Sequence, residues 1–182
     1  MILMFITNNI EVAQIAERAG VDRIFIDLET VGKQERQGGM DTVQSHHTVE
    51  DVRAMRAALR ASELFVRVNP IYEGSEQEIH AVLAAGAQVI MLPYFKTPQQ
   101  VAAFLSYVDG RARTSLLFET PESIECLDKI LALDGIDECY IGLNDLHLGY
   151  HRKFMFELLA DGMVDHIISK FQSAKKPYGF GG

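Results

Sequence analysis

The side chains of this sequence that can do chemistry fall at the ends of short apolar runs. Arg67 lies inside Leu64-Phe65-Val66-Arg67-Val68-Asn69, where a period of two puts Phe65, Arg67 and Asn69 on one face. A guanidinium among apolar strand residues is costly unless it is paired. It is either half of a structural ion pair or a clamp for a carboxylate or oxyanion, which its planar fork grips with two parallel bonds.

Two acids follow the next runs. Glu119 ends Ser115-Leu116-Leu117-Phe118-Glu119, and Asp145 follows Tyr140-Ile141-Gly142-Leu143-Asn144. Each has an ordinary alternative: Glu119 would suit the start of a helix, and Asp145 a turn or cap. Together, on adjacent strands, they stand at one mouth within reach of a single ion. Two carboxylates with room for water and substrate oxygens make a hard-cation site of the kind that holds Mg²⁺ or Mn²⁺.

Asp27 and Glu29, in Ile26-Asp27-Leu28-Glu29, end an earlier run. They could orient Arg67, hold waters on a metal, or form a solvated loop pair. A long polar stretch comes next, with Lys33 and Arg36 as candidate anion contacts and His46 and His47 as candidate general bases near neutral pH. Asn69, on the face of Arg67, and Asn144, beside Asp145, complete the candidate substrate contacts. Asp145-Leu146-His147 lacks the second histidine cluster that a transition-metal site would want.

The elements that must position these residues alternate. The strands expected are Ile2 to Ile6, Arg23 to Asp27, Leu64 to Val68, Val89 to Leu92, Ser115 to Phe118, Cys139 to Gly142 and Tyr178 to Gly181. Between them, Val12, Ile15, Ala16 and Ala19 share a helical face that Gly20 ends. Thr48 with Asp51, and Ser75 with Glu78, have capping-box spacing. Thr97-Pro98 and Thr120-Pro121 each put a cap residue before a proline at the first helical position, and Asp161 can cap a last helix. Strand, helix, strand, repeated, predicts a parallel sheet. The strand-end residues Thr7, Asp27, Asn69, Pro93, Glu119 and Asn144 are 20, 42, 24, 26 and 25 residues apart, and this near-regularity favours repeated barrel units. No GxGxxG or P-loop follows the first strand, so a nucleotide-binding open sheet lacks its main support. The expectation is one domain over residues 1–182, a (β/α)₈ TIM barrel that is incomplete. Such barrels take ~250 residues and eight strands, and put their active sites at the carboxyl ends of the strands.

Bulk properties narrow the partners. A net charge of −8 over 182 residues argues against nucleic acid or an anionic membrane, though not against a small anion. No apolar run approaches the ~20 residues of a membrane span, and Met1 to Ile6 lacks the basic flank of a signal peptide. Cys126 and Cys139, with no CxxC spacing, read as buried thiols in a reducing compartment, and so as a cytoplasmic protein.

Several stretches in order resemble the HpcH/HpaI aldolase and citrate lyase β-subunit family. They are Ile26-Asp27-Leu28-Glu29, Val66-Arg67-Val68-Asn69, Gly86-Ala87 leading to Met91-Leu92-Pro93, Phe118-Glu119-Thr120-Pro121, and Gly135-Ile136-Asp137 leading to Ile141-Gly142-Leu143-Asn144-Asp145-Leu146. The resemblance implies a TIM barrel that makes or breaks C–C bonds next to a carbonyl through a metal-held enolate. It implies that Glu119 and Asp145 bind Mg²⁺ or Mn²⁺, and that Arg67 contacts the oxyanion or carboxylate of a pyruvate-like unit. It also implies a homo-oligomer.

In the aldolase branch a histidine follows the Asp-x-Glu of the second strand; here that position is Thr30. The lyase branch carries a Lys and an Arg beyond it, roughly as Lys33 and Arg36 stand here. The base is therefore open between His46, His47 and a metal-bound water. Three functions follow: a metal-dependent class II aldolase acting on a 2-keto acid, a CoA-thioester lyase acting on an acyl-CoA, or a non-catalytic barrel remnant serving as a binding or assembly module.

Overall fold

Runs of β-branched and aromatic residues form the strands, and the helices between them are set by their caps. The computed structural model describes residues 1–32 and 46–181. These divide into two compact units, Met1–Met91 and Leu92–Gly182.

The first unit carries β1 (Met4–Ile6), α1 (Ile10–Arg18), β2 (Arg23–Asp27), α2 (Val49–Ala58), β3 (Glu63–Arg67), α3 (Ser75–Ala85) and β4 (Val89–Leu92), which reaches the boundary. Its strands run parallel and pair in sequence order, β1 with β2, β2 with β3, and β3 with β4. All five residues of β2 are buried, as a strand covered on both faces requires. Asn9 caps α1 by accepting from the Val12 amide, and Ala13 and Ala16 turn inward. Thr48 and Asp51 form the expected capping box on α2, which buries Val52 and Met55. Ile24, Ile26, Leu64, Val66, Ile79, Val82 and Ile90 fill the rest of this core. Each such side chain contributes roughly 1.5–3 kcal/mol.

Glu17, near the end of α1, accepts from three successive amides, Arg60, Ala61 and Ser62, at 2.9, 2.8 and 2.8 Å. Those bonds, led by Ala61 and Ser62, hold its carboxyl below the usual range. Along β1, Phe5 and Ile6 stay exposed.

The second unit carries α4 (Pro98–Val108), β5 (Arg113–Phe118), α5 (Pro121–Glu125), α6 (Leu127–Leu131), β6 (Glu138–Gly142), α7 (Leu143–Gly149), α8 (Glu157–Ala160), α9 (Met163–Ser173) and β7 (Tyr178–Gly181). Strands β5, β6 and β7 also pair parallel and in order. Thr97 and Thr120 cap α4 and α5 as expected, each before its proline. Phe118 is the centre of this core, with Phe95 and Phe171 packed at ring distances of 5.0 and 5.2 Å. Cys139 is buried, and burial pushes its thiol up to about 12; Cys126 is half-buried and raised for the same reason.

The expected strands all form, three with the expected bounds and the others with an end displaced by one or two residues. Two expected caps differ. Gly162, not Asp161, is the cap residue of α9, although Asp161 Oδ1 accepts from the Met163 amide at 3.0 Å. Ser75 and Glu78 do not make a capping box: Gly74 is the cap, and Ser75 Oγ accepts from the Tyr72 amide. Glu78 turns instead toward Asn69. Spacing alone does not distinguish a carboxylate that caps its own helix from one that a neighbouring strand end claims. No described helix is long and apolar enough to cross a membrane.

Candidate functional site

In the first unit, the β2–β3 register pairs Asp27 with Arg67. Both carboxylate oxygens of Asp27 accept from Arg67, Oδ1 from Nε and Oδ2 from Nη2, each at 2.8 Å. Glu29 Oε2 lies 3.3 Å from Nε, and the Glu29 amide donates to Asp27 Oδ1. Asp27 and Glu29 are 3% and 2% exposed, and the Arg67 side chain 17%. The guanidinium also stands 5.7 Å from the ring centre of Phe25, within cation–π range. Of the roles open to Asp27 and Glu29, orienting Arg67 is the one this geometry displays. Among the described residues, the cluster sets two acids beside one guanidinium, which they orient.

His47 joins this cluster: its Nδ1 accepts from the Asp27 amide at 2.9 Å. An imidazole so held carries its neutral-state proton on Nε2. His46 is exposed. Lys33 and Arg36 lie outside the described residues.

Asn69 ties two segments together. Its Oδ1 accepts from the Thr30 and Val31 amides at 2.8 and 2.9 Å, while its Nδ2 and backbone N–H donate to Glu78 Oε1 at 2.8 and 3.1 Å. The β2–β3 ladder ends with Leu28 N–H donating to Arg67 O, and beyond it the Asn69 amide takes over. The side chain expected to meet substrate is thus engaged with the protein itself.

In the second unit, the β5–β6 register pairs Phe118 with Ile141, which sets Glu119 beside Gly142 at the carboxyl edge of both strands. Glu119 is 4% exposed, and its Oε1 accepts from the Tyr94 amide at 2.9 Å. Tyr94 reaches it from a left-handed backbone, φ 47°, a conformation unusual for a residue with a side chain. The other side of Glu119 rests on Gly142: a β-carbon there would stand 2.9 Å from Glu119 Cβ and Oε2 and 3.1 Å from Leu117 Cδ1. Three residues on, Asp145 lies half-buried in the first turn of α7, next to half-buried Asn144. His147 Nδ1 lies 3.3 Å from Leu143 O, back along its own helix.

Glu119 therefore follows the end of β5, and Asp145 lies in the helix that leaves the neighbouring strand β6. Among the described residues no set of three or more His, Cys, Asp or Glu stands ready to hold a metal. A pair of hard oxygen donors still fits a cation such as Mg²⁺, which keeps several waters and leaves positions for substrate oxygens. The residues that the sequence did not single out here are Tyr94, Gly142 and Glu78. Gly142, placed between a strand and the Asn-Asp pair, was the one legible signal. Nothing local marks a tyrosine for the left-handed region.

No curated protein matches this sequence. Among solved structures, an HpcH/HpaI aldolase from Desulfitobacterium hafniense is similar at a TM-score of 0.78 and 14% identity, over 98% of this chain and 76% of that one. A family protein from Burkholderia cenocepacia gives 0.77 at 18%, over 98% and 77%. The citrate synthase SbnG gives 0.77 at 16%, over 98% and 76%. At such identities the likeness establishes the fold, a TIM-type α/β barrel, of which this chain carries seven strands among its described residues. The model of the HpcH/HpaI aldolase/citrate lyase family matches residues 1–180, and the chain belongs to that family of lyases.

Proposed function

We propose that this chain takes part in making or breaking a C–C bond beside the carbonyl of a pyruvate-type 2-keto acid, with a divalent cation held by Glu119 and Asp145. One observation carries this reading. A buried carboxylate at the end of β5, seated on Gly142, shares the sheet edge from which Asp145 rises. Mg²⁺ or Mn²⁺ bound there supplies a Lewis acid that draws charge from the keto and carboxylate oxygens of the substrate. Glu119 is fixed for that duty before any ligand arrives, because the Tyr94 amide holds one of its oxygens. Arg67, aligned by Asp27 and Glu29, has the role of contacting an oxyanion or carboxylate of the substrate.

The test is exchange of the pyruvate methyl protons for deuterium, followed by NMR. Exchange that appears with Mn²⁺ or Mg²⁺ and stops with a chelator supports the proposal. Exchange confined to acyl-CoA thioesters moves the assignment to a citrate-lyase type of reaction. Metal binding without exchange on either substrate leaves a non-catalytic binding module.

A further inference from the structure

We propose that Glu78 is a positioning residue: through Asn69 it fixes the turn that follows Glu29, and with it the acid pair that aligns Arg67. This inference rests on the role given to Arg67 above. Every link lies within the first unit and is a direct contact. Glu78 Oε1 accepts twice from Asn69, from the side-chain Nδ2 at 2.8 Å and from the backbone at 3.1 Å. This double grip fixes the rotation of the Asn69 amide and turns its Oδ1 toward β2. There it accepts from Thr30 N–H and Val31 N–H, and Thr30 Oγ1 lies 3.4 Å away. Thr30 follows Glu29 directly, and Glu29 Oε2 lies 3.3 Å from Arg67 Nε.

The position of Glu78 is costly. Its Oε2 is buried and meets no partner at full hydrogen-bonding geometry among the described residues, although the Tyr72 hydroxyl interacts with the carboxylate. Burial raises its carboxyl above the ordinary value against the pull of the Asn69 and Tyr72 contacts, and the Tyr72 phenol is raised in turn, by burial first and then by the Glu78 charge. A glutamate serving only the start of α3 would lower its energy by swinging into water beside Glu76, which is exposed. Instead it faces inward and spends one oxygen on Asn69.

The experiment compares Glu78→Ala, Asn69→Ala, their double variant and Glu78→Gln, which keeps an acceptor oxygen at the same reach. Two readouts are followed in the full chain: NMR-resolved hydrogen exchange at the Thr30 and Val31 amides, and calorimetric affinity for oxalate with Mn²⁺ bound. Glu78→Ala is expected to speed exchange at both amides at least tenfold and to weaken oxalate at least fivefold, with Mn²⁺ affinity unchanged. Asn69→Ala should match it, the double variant should be no worse than either single one, and Glu78→Gln should restore most of both. Unchanged amide exchange, or faster exchange with oxalate affinity intact, overturns the positioning role while the proposed function stands. A wild-type chain that binds neither Mn²⁺ nor oxalate defeats the functional reading first, and the positioning role with it.

Discussion

Glu119 and Gly142 are in such close contact that a single added carbon on the glycine would stand 2.9 Å from the Glu119 carboxylate. The carboxylate has little room to yield, because the Tyr94 amide holds its other oxygen. Gly142→Ala is therefore expected to displace Glu119 and weaken Mn²⁺ binding at least tenfold. The loss in melting temperature should be modest, since Gly142 ends β6 and is only half-buried. Calorimetry with Mn²⁺ alongside thermal unfolding checks this; a lowered melting temperature with unaltered metal affinity would refute it.

Glu119→Gln and Asp145→Asn each remove one anionic oxygen donor from the proposed cation site. Each variant is expected to bind Mn²⁺ at least tenfold more weakly than the parent. Calorimetric affinity equal to the parent's in either variant removes that residue from the ligand set.

Arg67 answers to two acids that are almost wholly buried. Deleting its guanidinium takes an ion-pair partner from each, and breaking a buried pair typically costs about 3–5 kcal/mol. Arg67→Ala is accordingly expected to be strongly destabilised in urea unfolding. Arg67→Lys keeps the charge but loses the two-bond match to Asp27, so oxalate affinity and turnover should fall at least tenfold while stability falls less. A lysine variant that loses stability but keeps full turnover would reduce Arg67 to a structural ion pair.

Glu17 sets a pH dependence whose sign is fixed by its environment. Its folded-state carboxyl lies below the unfolded value, so its stabilising effect is complete above the ordinary glutamate range and is lost as pH falls through the folded value. Glu17→Gln keeps an acceptor oxygen and removes the charge. The melting temperature of the variant should lie below the parent's at about pH 7, and the gap should close toward about pH 3. A gap independent of pH would deny Glu17 any titrating role.

Much of this architecture was legible because it is written in short-range signals. Thr48 with Asp51, Thr97-Pro98 and Thr120-Pro121 each specify a helix start within four residues, and each formed. The strands β2 and β4 follow from the apolar runs Ile24-Phe25-Ile26 and Val89-Ile90-Met91-Leu92, and their bounds match the expectation. Arg67 was visible as a charge inside such a run, although choosing Asp27 as its mate needed the register between β2 and β3. Three features were hidden for a common reason. Glu78 bonds to a residue nine positions away, Asn69 to residues 38 and 39 positions away, and Tyr94 to one 25 positions away. None of these separations leaves a local pattern, and the apparent capping box of Ser75 and Glu78 pointed elsewhere.

The grip of Asn69 on Thr30 and Val31 has a consequence for how this chain tolerates change. It couples the chain just beyond β2 to the start of α3, because one glutamate there holds the asparagine that holds both amides, so these two stretches have to vary together.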